Sequence, residues 1–254
     1  MFSSLFSKKN RSAVSLPVPR LPEGLRIYAV GDIHGREDLF AELMDKIEAD
    51  KAARPHPNCG LILLGDLIDR GPSSSTVIER AIRLRRNWPV FHWLIGNHEE
   101  VFIKALSGDL AALKLFCRIG GEETILSYGI DHATYSRMTY EELLVTLERA
   151  VPSVHRDFLA AGEEMVLLGD YGFVHAGLRP GVPIDSQKPS DLRWIREPFL
   201  SADSDFGRFI VHGHTITQTV DERANRLGID TGAYASGILT AVVIENDERR
   251  YLTT

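Results

Sequence analysis

LRIYAVGDIHGREDLFAELMDKIEADKAAR, residues 25–54, carries the pattern from which the fold follows. The run up to Val30 is short, largely apolar and closed by Gly31, as a buried strand would be. From Arg36 the period changes, and Leu39, Phe40, Leu43, Met44 and Ile47 fall on one stripe of a helix. Between the two stand Asp32 and His34, polar residues flanked by Gly31 and Gly35, where they contribute little to a core. Strand, polar turn and amphipathic helix make the first half of a βαβ unit, and LILL at 61–64 supplies the second strand one crossover later.

The pattern recurs. VFHWLI (90–95), GFV (172–174) and RFIV (208–211) are further candidate buried strands, and SSSTVIERAIRLRR (73–86) is a helix with Val77, Ile78, Ala81 and Ile82 turned to the core. Residues 99–165 are mostly helical in pattern and form a helical cap insertion, whereas RLGIDTGAYASGILTAVVIE (226–245) reads as strand, Gly-rich turn, strand. The residues themselves therefore give a parallel-rich α/β domain over 24–254, preceded by a flexible tail over 1–23 whose Phe2, Leu5 and Phe6 are candidates for docking elsewhere.

Composition narrows the function. Of 254 residues 44% are hydrophobic and 25% charged, and 29 Lys and Arg against 35 Asp and Glu give a net charge of −6. That balance argues against a nucleic-acid partner but leaves room for a local anion pocket. Cys59 and Cys117 form no disulfide framework or Cys-rich zinc pattern, which fits a reduced, cytoplasmic protein. No apolar run reaches the roughly 18–20 residues of a membrane span, so stable membrane association is not expected.

At the strand ends stand GDIHG (31–35), GDLIDRG (65–71), GNHE (96–99), VHAG (174–177) and VHGHT (211–215). Turns at the carboxyl ends of strands in an α/β sheet gather in one crevice, which would then hold Asp32, His34, Asp66, Asn97, His175 and His214. A single Gly-Asp after a strand is usually only a turn, but five such ends in order are not accounted for that way. These oxygen and imidazole donors are too many for one tetrahedral ion and suit two divalent ions sharing a bridge.

This series of motifs resembles the metallophosphoesterases, and within them the phosphoprotein phosphatase branch that includes bacterial and phage Ser/Thr phosphatases. The resemblance implies an αββα sandwich of two mixed β-sheets flanked by helices. Carried over by motif, it implies that Asp32 and His34 bind a first metal, that Asp66 bridges, and that Asn97, His175 and His214 complete the second site. Many superfamily members carry a second histidine two residues after the Gly-His histidine; here that place is Ile216, an absence shared with the phosphoprotein phosphatases. His212 stands where eukaryotic relatives have arginine and is read as support for the ligands.

The implied chemistry is hydrolysis of phosphate monoesters by direct attack of a metal-bridging hydroxide, with no covalent intermediate. His98 would donate a proton to the leaving alkoxide and Asp69 would hold its tautomer. Arg70 would clamp the phosphate, joined by Arg196 of the Trp-x-Arg pattern in DLRWIREPFL (191–200) rather than Arg193, with Arg36 a weaker candidate. Manganese is the metal expected from the resemblance, and the same donors accept iron or zinc. His56, His92, His132 and His155, the arginines at 80, 83, 85 and 86, and Met44 and Met138 read as structural or solvent-facing. The substrates expected are phosphoproteins or small phosphoesters, with Ser/Thr phosphatase activity first, possible action on phosphotyrosine, and symmetrical dinucleoside tetraphosphate hydrolysis as the alternative. A non-catalytic scaffold is the minor alternative, disfavoured because no ligand is missing.

Overall fold

The computed structural model describes residues 18–254. In chain order the elements are β1 (Arg26–Val30), α1 (Glu37–Ala53), β2 (Cys59–Leu63), α2 (Ser74–Asn87), β3 (Val90–Trp93), α3 (Asn97–Leu106), α4 (Leu110–Phe116), α5 (Glu122–Ser127), α6 (His132–Tyr135), α7 (Tyr140–Ala150), α8 (Ser153–Ala160), β4 (Met165–Leu168), β5 (Tyr171–Val174), α9 (Pro189–Trp194), β6 (Phe209–His212), β7 (Asp221–Glu222), β8 (Arg226–Gly228), α10 (Ala233–Ser236), β9 (Thr240–Glu245) and β10 (Glu248–Thr253). They build two five-stranded mixed sheets, ordered β10-β9-β1-β2-β3 and β4-β5-β6-β8-β7.

The continuous apolar runs follow from burial on both faces. In β1, Ile27 and Ala29 face the second sheet while Tyr28 and Val30 face the helices; in β9, Val242 and Ile244 take the first side and Ala241 and Val243 the other. Tyr171, Phe173 and Val211 meet the first of these faces from the second sheet, and the outer side of that sheet packs Val174 and Ile210 against Leu192 and Phe199. Helices α1 and α2 cover the first sheet as the stripe at Leu39 to Ile47 and the set Val77, Ile78, Ala81 and Ile82 require.

Some expectations shift. The strand read at 90–95 is shorter, and as an edge strand it buries only Trp93 fully within β3. Sequence pattern missed β4, β7 and β10; β10 is an edge strand rich in charge, because Arg249 and Arg250 lie where they can reach Glu222 and Asp50. The apolar-to-polar pattern at 101–116 is two helices, broken where Gly108 turns to φ +92° and Asp109 caps α4 through the amides of Ala111 and Ala112. The segment expected to be a flexible tail to residue 23 is laid down from Arg20 onward: the Arg20 carbonyl accepts the Asp170 amide, the Arg20 amide donates to the Asp170 carboxylate, and buried Leu21 donates its amide to the Asn246 carbonyl. Residues 1–17, with Phe2, Leu5 and Phe6, lie outside the described residues.

Asp50 ties α1 to the far edge of the first sheet. Its buried carboxylate accepts from Tyr28 Oη at 2.7 Å, Arg54 Nη1 at 2.6 Å and Arg250 Nη2 at 2.6 Å. Burial alone would raise its pKa, but the bonds from Arg250 and Tyr28 outweigh that and hold it below the ordinary carboxylate range. Asp50→Asn should lower stability by about 2 kcal/mol at pH 7, since it leaves charged and hydroxyl donors without an ionised acceptor. The contribution is present above the unfolded carboxylate pKa and lost as pH falls through the folded one, so urea denaturation should find the wild-type advantage full at pH 7 and shrinking under acid.

Candidate metal centre

The crevice lies where strands of both sheets end. Asp32 and His34 follow β1, Asp66, Asp69 and Arg70 follow β2, Asn97 and His98 open α3 after β3, His175 follows β5, and His214 follows β6. Positive φ values at His34 (47°), Asp66 (48°), Asp69 (71°), Arg70 (69°) and His214 (64°) place all but one of the non-glycine residues of that kind, among those described, in this one region. Such conformations cost about 1 kcal/mol or more each and persist where the surrounding structure over-determines them. Glycine is required at 213 and 96, where a Cβ would collide with the carboxylates of Asp32 and Asp66.

Asp66 is the hub. One donor group brings it together with His34 and His98, another with His175 and His214, every donor atom within a group lying within 4.8 Å of the others. His34 Nε2 is 3.6 Å from Asp66 Oδ2 and His175 Nε2 is 3.5 Å from Oδ1, while Asn97 Oδ1 is 3.1 Å from His175 Nε2. The Nδ1–H of His34 donates to the Ile68 carbonyl and that of His175 to the Leu64 carbonyl, both at 2.8 Å, which turns each Nε2 lone pair toward the acid. His214 Nε2 is buried without a hydrogen-bond partner. Burial keeps these histidines neutral, pushing His34 down to about 3 and His175 and His214 downward as well. The Asp66 pKa is shifted well down: burial works against this, and the attraction of its carboxylate for protonated forms of His175, His98, His34 and His214 outweighs it.

Lone pairs of neutral imidazoles facing a buried carboxylate repel one another unless a cation lies between them, so the donor set fits divalent metal ions. Asp32 differs from the expected ligand pattern. It belongs to the same buried turn, but its carboxylate accepts the His214 amide at 3.0–3.1 Å and it falls in neither donor group. Burial, Asp230 and Asp66 push its pKa well upward. His98, expected as an acid rather than a ligand, lies close enough to join the first donor group.

Beside the donors, His98 Nδ1 is 2.6 Å from Asp69 Oδ2, and the other oxygen of Asp69 accepts the Thr124 hydroxyl at 2.6 Å. Burial lowers the His98 pKa, but Asp66 and Asp69 more than restore it, and the net shift is upward. Arg70 Nη2 is 3.1 Å from His98 Nε2. Arg70, Arg196, Asp66, Asn97, His214, Thr215, Ile216 and Tyr234 line a crevice of about 330 Å³. Arg196 reaches the His214 carbonyl at 3.4 Å, whereas Arg193 is held by Glu164 and Glu100, and Arg36 by Asp38 and the Ala233 carbonyl. His212 is buried and neutral, pushed down to about 4 by burial, and accepts from Arg226 while its Nδ1 meets the Gly213 carbonyl. His155 bonds Glu79 and Tyr128, and His92 bonds Glu163, away from the crevice lining.

Three residues with a part in the site were missed. Glu99 accepts the amides of Asp66, Leu67 and Gly96 at 2.8–2.9 Å and so fixes the Asp66 turn against α3. Its signal was legible: a Glu three residues inside a helix start reaches back to the cap amide. Asp230, beside Asp32, is raised to about 6 by burial, and Tyr234 lies under the Arg70 guanidinium; both come from the Gly-rich turn that sequence left without a role.

Comparison with known proteins agrees with this geometry. The chain is 28% identical over 228 residues to serine/threonine-protein phosphatase 1 of Salmonella typhimurium strain LT2, covering 86% of this chain and 92% of that protein. It is 27% identical over 228 residues to the asymmetrical bis(5'-nucleosyl)-tetraphosphatase PrpE of Halalkalibacterium halodurans, covering 84% and 87% respectively. A crystal structure provisionally described as a diadenosine tetraphosphatase shares the fold with a TM-score of 0.63 and 20% identity, over 90% of this chain and 93% of that one. The sequence profile of the calcineurin-like phosphoesterases matches residues 25–231, a span that takes in all five turns converging on Asp66, and the chain belongs to that family, whose members use a dinuclear metal centre.

Proposed function

We propose that this phosphoesterase is a phosphomonoesterase of the phosphoprotein phosphatase branch, a Ser/Thr protein phosphatase able to act on further phosphomonoesters, with manganese the expected metal. The observation that carries the reading is the Asp69–His98 pair standing against Arg70 at the wall of a small, mostly polar crevice. His34, Asp66, Asn97, His175 and His214 would hold two cations, with Asp66 common to both and Asp32 steadying the His214 turn or closing the first site. When bound, the cations supply Lewis acidity toward phosphoryl oxygens and bring shared solvent into the range of a neutral-pH base.

The remaining work belongs to the chain. Arg70 and Arg196 approach the crevice from different elements and present guanidinium groups to the equatorial oxygens of a phosphoryl group. Asp69 accepts Nδ1–H of His98 and favours the imidazolium, in which the transferable proton is the second one, on Nε2, once a phosphoryl oxygen draws Arg70 off that nitrogen. Thr124 fixes Asp69 in turn, so the helical insertion between β3 and β4 contributes to the geometry of the acid. Since Arg70 Nη2 and His98 Nε2 are hydrogen-bond neighbours, a phosphoryl oxygen on the arginine lies beside an ester oxygen within reach of the histidine.

Hydrolysis of dinucleoside tetraphosphates is the second reading, favoured by a PrpE-type relative at nearly the same identity as the protein phosphatase. Of the crevice-lining residues only Ile216 and Tyr234 offer apolar surface, a short lip beside the arginines and not the two-sided pocket that stacking an adenine calls for. Turnover of a phosphoserine peptide and of diadenosine tetraphosphate by the manganese-loaded chain should favour the peptide, chelation should abolish it, and exclusive turnover of the dinucleotide would replace the first reading by the second.

His98→Asn should lower kcat by about 10²–10⁴ with bound metal unchanged by elemental analysis. Loss of metal from this variant would make His98 a ligand and leave the proton without its donor.

A further inference from the structure

Ile216 and Tyr234 have no part in the chemistry proposed above, yet both line the crevice that the arginines and ligands define. Ile216 is 46% exposed at the mouth of this polar site, where a bound substrate can reach it. It lies against Gly232, so closely that a Cβ there would approach its Cγ2 to 2.9 Å, and Tyr234 follows two residues later. The two side chains thus flank one turn and form a short apolar lip on an otherwise polar rim. The Tyr234 ring carries the Arg70 guanidinium carbon 4.7 Å from its centroid and meets the His34 ring edge-on at 5.4 Å, which fixes the lip relative to the phosphate clamp.

Any phosphoryl group seated on Arg70 and Arg196 sends its ester substituent out through this mouth. An aromatic substituent offers a flat face that an isoleucine and a tyrosine can cover, whereas a seryl methylene offers almost none. We propose that Ile216 and Tyr234 form the leaving-group subsite, a specificity-determining lip that raises turnover of aryl phosphomonoesters beside the phosphoserine and phosphothreonine substrates of that reading. The inference rests on the phosphomonoesterase reading and adds to it the residues that weigh one class of monoester against another.

The test uses the full chain loaded with manganese and two peptides of one sequence, carrying phosphotyrosine or phosphoserine, with p-nitrophenyl phosphate as a third substrate. In Ile216→Ser the ratio of kcat/KM for phosphotyrosine over phosphoserine should fall about fivefold, and p-nitrophenyl phosphate should follow phosphotyrosine. Tyr234→Phe should keep the wild-type ratio and Tyr234→Leu should lower it, because the ring and not the hydroxyl is what the subsite uses. An unmoved ratio in Ile216→Ser and Tyr234→Leu, with turnover retained or with equal loss on every substrate, overturns the subsite alone. Absence of turnover by the wild type on all three monoesters overturns the phosphomonoesterase reading and the subsite with it.

Discussion

The Asp66 carboxylate is the interaction on which the rest of the structure depends. It ends a strand with neighbours on both sides, its amide is held by Glu99, and its Oδ1 accepts the His98 amide, so it has almost no freedom to turn away from four neighbouring imidazoles. A buried acid with no nearby counter-charge ordinarily picks up a proton. Here the His98 amide bonds its Oδ1, and the neutral imidazoles of His34, His175 and His214 present lone pairs beside it, an arrangement relieved by positive charge brought from outside. The strained backbone at His34, Asp66 and His214 lies in the same turns, which the surrounding structure holds in place.

Such precision needs two sheets. His34, Asp66 and Asn97 come from the first, His175 and His214 from the second, and the layer of Ile27, Ile62, Phe173, Val211 and Val242 between the sheets sets the distance from one ligand set to the other. Direct hydrogen bonds between the sheets reinforce it: Nδ1–H of His175 donates to the Leu64 carbonyl, and the His214 amide donates to the Asp32 carboxylate. A cavity opened in that layer therefore reaches the metal site even where it spares every ligand.

Much of this was legible in the sequence, for identifiable reasons. A central strand with both faces covered has to be apolar throughout, which is why β1 and β2 stand out, and a polar residue directly after such a run has no role in the core. Edge strands lack that signature. In β10 the charges of Arg249 and Arg250 serve ion pairs with Glu222 and Asp50 that only the folded chain assembles, and β7 is two residues long. The ligand types could be read, but not their directions: Asp32 turns to an amide contributed by the other sheet, a contact 182 residues away along the chain. Glu99 stood in a quoted motif and went unassigned because capping acids are common, and its second task, holding the Asp66 turn, depends on the angle at which α3 meets β2.

Charge links the site to its surroundings. The chain carries a net −6, and the crevice adds Asp66 with Asp32 and Asp230 close by, so a phosphorylated substrate meets no general attraction. Attraction has to be local and conditional. Cations bound there would offset the charge of Asp66 and leave Arg70 and Arg196 to draw a phosphoryl group to the mouth. Metal occupancy and phosphate affinity would then be thermodynamically coupled, each cation raising the affinity for phosphate and phosphate raising that for the cations. Such reciprocity would account for acids, neutral imidazoles and arginines standing side by side in one small volume, a combination unfavourable in a site built to bind phosphate alone.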